Sequence, residues 1–164
     1  KAKLRNITAA SIQMREITIK ITDMLGLFSN GSRSIPRMAI IVAIIAYIST
    51  SRSEVMALMT SADTLVVPSI YEPFGIVALE GMAAGAPVVA SQIGGLAEVI
   101  EHDLTGIFAH SRNPSSIAWG VDRVLSDSDH SKWLVQNAKD MVQKTYSWEA
   151  IATKTIKVYE EVTG

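Results

Sequence analysis

The chain contains no cysteine. Disulfides, thiolate metal sites and thiol nucleophiles are therefore excluded, and the composition suits a reducing compartment such as the cytoplasm. Net charge is nearly absent too. Fifteen Lys and Arg against 16 Asp and Glu leave −1, so no basic field argues for a nucleic-acid partner. The three histidines, His102, His110 and His130, lack ligand spacing and read as surface or loop side chains rather than metal ligands. The most apolar run, Met38 to Ile48, is shorter than the roughly 17 residues a membrane-spanning helix needs. Near the start, no small-residue cleavage site follows an apolar core, so that segment does not read as a signal peptide. There is no repeat period and no low-complexity linker. What remains is 164 residues, 48% hydrophobic, enough for one domain with a real core.

The informative stretch is Tyr71 to Gly95. Two carboxylates, Glu72 and Glu80, bracket a Pro-Phe-Gly turn that opens a helix from about Gly75 to Ala84. Ile76, Val77, Leu79, Met82, Ala83 and Ala84 leave that helix almost no polar face, which predicts burial. Gly85 stands where a C-cap glycine would, and Pro87 bars continuation. A carboxylate on such a helix must find a partner. For Glu80 that partner is either a ligand hydroxyl in a cleft or, taken alone and more simply, solvent or a nearby Arg. Pro73 holds Glu72 in extended geometry, at the mouth between a strand ending near Pro68 and the helix. Open parallel sheets bind ligands at that place. The N–H groups of Phe74, Gly75 and Ile76 are expected to point the same way and to suit a diphosphate. Gly75 has no side chain to obstruct close approach.

Taken together, strand, Pro-Ser, Tyr-Glu-Pro-Phe-Gly, Glu80, the Ala-Ala-Gly-Ala-Pro-Val-Val-Ala-Ser run and Gly-Gly-Leu resemble the retaining nucleotide-sugar glycosyltransferases of the GT-B type. This superfamily includes glycogen and starch synthases, sucrose synthase and bacterial mannosyltransferases. Its E-x7-E signature corresponds to Glu72 and Glu80. The resemblance runs from about Ser61 to Val162; residues 1–50 match weakly. It implies that Glu72 lies beside the transferred sugar at the reacting centre. It implies that Phe74, Gly75 and Ile76 present backbone N–H groups to the donor's sugar hydroxyls and distal phosphate. Glu80 would accept hydrogen bonds from the ribose, and Gly94 and Gly95 would flank the phosphate side of the cleft. The implied fold is α/β, an open parallel Rossmann-like sheet with helices on both faces, forming one lobe of two. The implied activity is sugar transfer with retention, from a nucleotide-diphosphate sugar to a sugar, glucan or lipid acceptor, with no cofactor and no metal.

The rest of the chain reads as alternating helices and strands. Ala9 to Leu25 is predicted helical, Asn30-Gly31 a turn, and Met38 to Ile48 a buried parallel strand or a buried helix. Ser53 is expected to cap a helix over Glu54 to Ser61. Strands follow at Thr64 to Val67, Val88 to Ser91 and Gly106 to Ala109, with a short helix at Leu96 to Glu101. Asn113-Pro114 starts a helix running to Leu125, on which Trp119 reads as packing. Asp127 to Asp129 breaks the pattern before a helix from about Ser131 to Lys144. Ser147 caps a last helix, Trp148 to Val162, whose side carrying Ile151, Ala152, Thr155, Tyr159 and Val162 is expected to be buried.

The pattern also departs from the family. The Gly-Arg strand end and later Lys-Gly, which supply its diphosphate-neutralising cations, have no counterpart, and Arg5, Arg15, Arg33 and Arg37 lack that context. A two-lobed enzyme needs roughly twice this length or more. The expectation is thus a single, partial donor-binding domain over 1–164, inactive alone without an N-terminal acceptor lobe. The full protein is expected to be cytoplasmic, with peripheral membrane association as a variant. Two rivals stand beside it: a nucleotide-sugar-binding module without turnover, and a UDP-sugar epimerase-like protein. The turn and the glutamate spacing argue against the second.

Overall fold

The computed structural model describes residues 39–41 and 51–164. The helix expected over Ala9 to Leu25, the turn at Asn30-Gly31 and most of the Met38 to Ile48 run lie outside the described residues. Four strands, β1 (Ala39–Ile41), β2 (Thr64–Val67), β3 (Val88–Ser91) and β4 (Ile107–Ala109), form one parallel sheet in the order β1-β2-β3-β4. Val66 pairs with Val89, and Val89 with Ile107. β2 and β3 are buried throughout, as an apolar run in a two-sided parallel sheet requires.

Among the described residues six helices connect and follow the strands: α1 (Arg52–Ser61), α2 (Ile76–Ala84), α3 (Leu96–Val99), α4 (Pro114–Ser126), α5 (Ser128–Thr145) and α6 (Trp148–Thr163). Alternation along the strands divides the core in two. Leu65, Val67, Val88 and Ala90 pack with Met59 of α1, Met82 of α2, Leu96 of α3 and Ala138 of α5. Val66, Val89 and Ile107 point the other way, onto Ile117, Val121 and Val124 of α4 and Leu134 of α5. The architecture is therefore the expected open parallel α/β sheet with helices on both faces. All strands run in one direction, so the loops after β2, β3 and β4 gather at a single edge.

Local signals explain most boundaries. Gly85, at φ +89°, is the C-cap of α2, and Asn113 caps α4 by accepting from the Ser116 N–H at 3.0 Å. Three boundaries differ from the sequence reading by two residues or more. Ser51, not Ser53, caps α1, because Ser51 and Glu54 form a reciprocal capping box with Ser51 N–H to Glu54 Oε2 at 2.8 Å. Asp127 caps α5 rather than merely breaking the pattern. Its Oδ1 accepts from the N–H groups of Asp129 and His130 at 3.1 and 3.0 Å, so the helix begins at Ser128. α3 ends at Val99, with Ile100 already extended.

The largest correction concerns α6. No residue on it is buried, and Tyr159 and Val162 are 67% and 80% exposed. The helix packs mainly on α5, and among the described residues the apolar side expected to be inside is left exposed.

One ion-pair cluster ties the loop before β4 to the helices beneath it. Arg123 of α4 grips both carboxylate oxygens of Asp103, at 2.8 and 2.7 Å, and His130 of α5 approaches Asp103 Oδ1 at 3.1 Å. The hydrogen bonds from Arg123 hold the Asp103 carboxyl below its ordinary pKa, helped by the charges of Arg123, His130 and His102 against the opposing effect of burial. A depressed folded-state pKa means that the stabilisation is fully present above the unfolded value, about 3.9, and is lost as pH falls through the folded one. Both partners are around 40% exposed, which limits the pair to about 1 kcal/mol or less. Asp103→Asn, which suits the left-handed φ of +62° at this position, is expected to lower the pH 7 melting temperature slightly and to flatten its fall between pH 5 and 3. Thermal melts across that range check this.

Candidate functional site

The loop from β2 to α2 carries the first carboxylate. Glu72 is half-buried and turned back into its own loop: Oε1 accepts the Gly75 N–H at 3.2 Å and Oε2 the Ser69 hydroxyl at 3.4 Å. Ser111, just after β4, donates to the Ser69 carbonyl at 3.2 Å. The ends of β2 and β4 are thereby joined across the sheet edge, and Glu72 is held from two sides.

The Gly94-Gly95 turn after β3 lies directly against this loop. The Gly95 N–H donates to the Glu72 carbonyl at 2.9 Å. A β-carbon at Gly94 would collide with that same carbonyl oxygen, and one at Gly95 with the backbone of Phe74. Gly94 also has φ +45°, in the region that favours glycine. The two loops meet backbone to backbone because neither position carries a side chain.

α2 starts from this junction. Gly75 is its N-cap at φ +93° and provides no side-chain cap. The three N–H groups expected to face a ligand are not equivalent. That of Gly75 is taken by Glu72, while those of Phe74 and Ile76, together with Val77, have no acceptor among the described residues. Unpaired N–H groups and the positive end of the helix dipole make this end of α2 favourable to an anion. Phe74 and Ile76 are 50% and 58% exposed. With Ile70 and Tyr71 they form an apolar rim on the same loop, and Phe74 meets Tyr146 edge to face.

Glu80 lies one turn further along α2. The helix is buried at Ala78, Leu79, Gly81 and Met82, but the Glu80 side chain keeps 33% of its exposure. Its Oε1 pairs with Arg52 Nη2 at 3.3 Å, which is the simpler of the two partners anticipated for it. Its Oε2 is left without a protein partner among the described residues.

The structure therefore brings Glu72, Phe74, Gly75, Gly94 and Gly95 into one contact and sets Ile76 and Glu80 along the helix leading away. Arg52, Ser69 and Ser111 escaped the sequence reading. For Arg52 the position just after Ser51, on the helix preceding β2, was the available signal; Ser69 entered only as part of the Pro-Ser strand end, with no role, and Ser111 carries no signal. Among the described residues no three His, Asp or Glu side chains gather to hold a metal ion, and no helix is long and apolar enough to cross a membrane.

Comparison with known proteins bears on the family and the fold. An uncharacterized glycosyltransferase of Methanocaldococcus jannaschii is 58% identical over 103 residues, covering 63% of this chain and 26% of its own length. A sucrose-phosphate synthase from Thermosynechococcus elongatus superposes with a TM-score of 0.63 at 33% identity, over 73% of this chain and 32% of that one. HepE of Anabaena, crystallised with UDP, gives a TM-score of 0.63 at 25% identity, over 67% and 30%. The chain thus spans about a quarter to a third of the length of these three proteins. Residues 40–141 match the family described as glycosyl transferases group 1, and that match covers more than half of the sequence. This chain belongs to the group 1 glycosyl transferases.

Proposed function

We propose that the chain is the nucleotide-sugar-binding lobe of a glycosyltransferase that moves a sugar from a nucleoside diphosphate to an acceptor with retention of anomeric configuration. The observation that carries the reading is the junction of Glu72, the open N-terminus of α2 and the Gly94-Gly95 turn at the carboxyl edge of a parallel sheet. The UDP bound by the similar HepE supports this choice of ligand.

In this reading the distal phosphate meets the N–H groups of Phe74, Ile76 and Val77. As the sugar–phosphate bond breaks, negative charge grows on the leaving diphosphate, and fixed N–H dipoles stabilise it without reorganising. The sugar ring becomes electron-poor at the same moment. Glu72, immobilised by Gly75 and Ser69, places its carboxylate beside the ring and favours that charge. Glu80 accepts the ribose hydroxyls through its open oxygen, with Arg52 shielding the other. The acceptor, whether sugar, glucan or lipid, is held by a second lobe facing the apolar rim of Ile70, Tyr71 and Phe74. The cysteine-free composition agrees with a cytoplasmic setting.

Without that lobe, and without the basic pair of the family pattern, the chain alone is expected to bind donor but not turn it over. A donor-hydrolysis assay of the isolated chain checks this. Calorimetric titration with UDP tests the ribose assignment. Glu80→Ala is expected to weaken binding by about 1.5–3 kcal/mol, roughly 10- to 150-fold, the scale of hydrogen bonds to a charged group. Unchanged affinity defeats the assignment.

A further inference from the structure

A second concave surface lies beside β4, the last strand of the described sheet. It is a pocket of about 390 Å³, within the range of small-ligand sites, lined by Gln92, His102, Phe108, His110, Ser116 and Trp119. None of these residues takes part in the junction of Glu72 with the glycine turn. Read from sequence, Trp119 belonged to the packing of α4. In the structure its neighbours Ile117, Gly120 and Val121 face the core while Trp119 is 50% exposed.

The chemistry of the lining is specific. His102 Nδ1 accepts the Phe108 N–H at 2.9 Å. That bond blunts the outer edge of β4 and occupies Nδ1, so Nε2 is the ring nitrogen left to meet a ligand. His102 stacks on Phe108 with centroids 5.8 Å apart and planes 13° from parallel. The Ser116 hydroxyl accepts the His110 N–H at 2.9 Å, which leaves its own hydrogen free to donate. Gln92 is exposed and adds an amide donor and acceptor. The lining contains no Lys, Arg, Asp or Glu. The pocket therefore offers no permanently charged group to a phosphate, a carboxylate or a cation. Flat aromatic surfaces combined with dispersed neutral donors and acceptors match a pyranose ring, which presents apolar C–H faces and a rim of hydroxyls.

We propose that this pocket is a binding subsite for a neutral glycan, separate from the nucleotide cradle, with Trp119 as the stacking platform and Gln92, His102 and Ser116 as hydroxyl partners. The inference does not depend on the roles assigned to Glu72 and Glu80.

The test is native electrophoresis of the protein through gels containing glycogen, yeast mannan or dextran, with tryptophan fluorescence as a second readout. Retardation is expected in at least one gel. Trp119→Ala should lower the apparent affinity at least tenfold, and Trp119→Phe should retain most of it. Because Trp119 is half-exposed, both variants should show the parent's circular dichroism and melting temperature. UDP added to the gel should leave the retardation unchanged. Four results would each overturn the proposal: no retardation by any of the three polysaccharides, retardation indifferent to Trp119→Ala, retardation abolished by UDP, or tryptophan quenching that is lost in Trp119→Ala and is produced by uridine but by no glycan. The last would mark a nucleobase pocket instead.

Discussion

Glu72→Gln is expected to reduce sugar transfer by about 10³-fold or more in the protein paired with its acceptor lobe, while changing UDP affinity less than about threefold. The substitution is close to isosteric. A glutamine oxygen can still accept the Gly75 N–H, and the Ser69 hydroxyl can rotate to accept from the new amide group. The loop should therefore keep its shape, and Gly95 should still donate to the carbonyl of residue 72. On the proposed role of Glu72, what disappears is negative charge beside an electron-poor ring, an interaction stronger in the transition state than in the bound donor. The loss should accordingly appear in kcat rather than in KM. Steady-state kinetics with calorimetry on the same preparation separates the two. Retention of more than about a tenth of the parent's kcat would remove Glu72 from the reacting centre.

The fold was largely legible from order and composition. Buried runs such as Thr64–Val67 and Val88–Ser91 are too short for helices and too apolar for half-exposed strands, and each is followed by a helix with its own start signal. Asn113-Pro114 and Gly85 marked their boundaries because capping is local chemistry. The capping errors were local too. Ser51 and Glu54 have the spacing of a capping box, yet Ser53 stood closer to the apolar face and drew the reading. α6 failed for a different reason. Periodicity establishes that Ile151, Tyr159 and Val162 share a side of the helix, but not that the surface covering that side belongs to the same stretch of chain.

The candidate site divides in the same way. The spacing of Glu72 and Glu80 around a helix start is visible in sequence because both belong to one loop and one helix. Arg52 meets Glu80 only through the packing of α1 against α2, and Ser111 reaches Ser69 only because β2 and β4 end at the same edge. The sequence marked Gly94 and Gly95 as a turn beside the cleft. The reason for two glycines, contact with the backbone of Glu72 and Phe74, exists only in three dimensions.

That contact supports the second large effect. Gly95 sits at φ −61° and ψ −23°, ordinary right-handed backbone that alanine adopts freely. Gly95→Ala therefore imposes no conformational strain of its own, and any effect reports the collision of one methyl group with the backbone of Phe74. Backbone atoms cannot rotate aside as a side-chain tip can. Either the Glu72–Gly75 loop or the start of α3 must move, and Leu96 and Val99 on α3 are core residues. The expected cost is about 1–3 kcal/mol, the scale of overpacking in a buried contact, and lowers the melting temperature by roughly 3–12 °C. UDP affinity should fall with it, because displacing the loop shifts the N–H groups of α2 from where a phosphate would sit. Thermal melts and UDP titration of Gly95→Ala check both effects. A variant melting within about 1 °C of the parent and binding UDP equally well would mean that the two loops do not define the cradle, and the site would have to be sought elsewhere along the sheet edge.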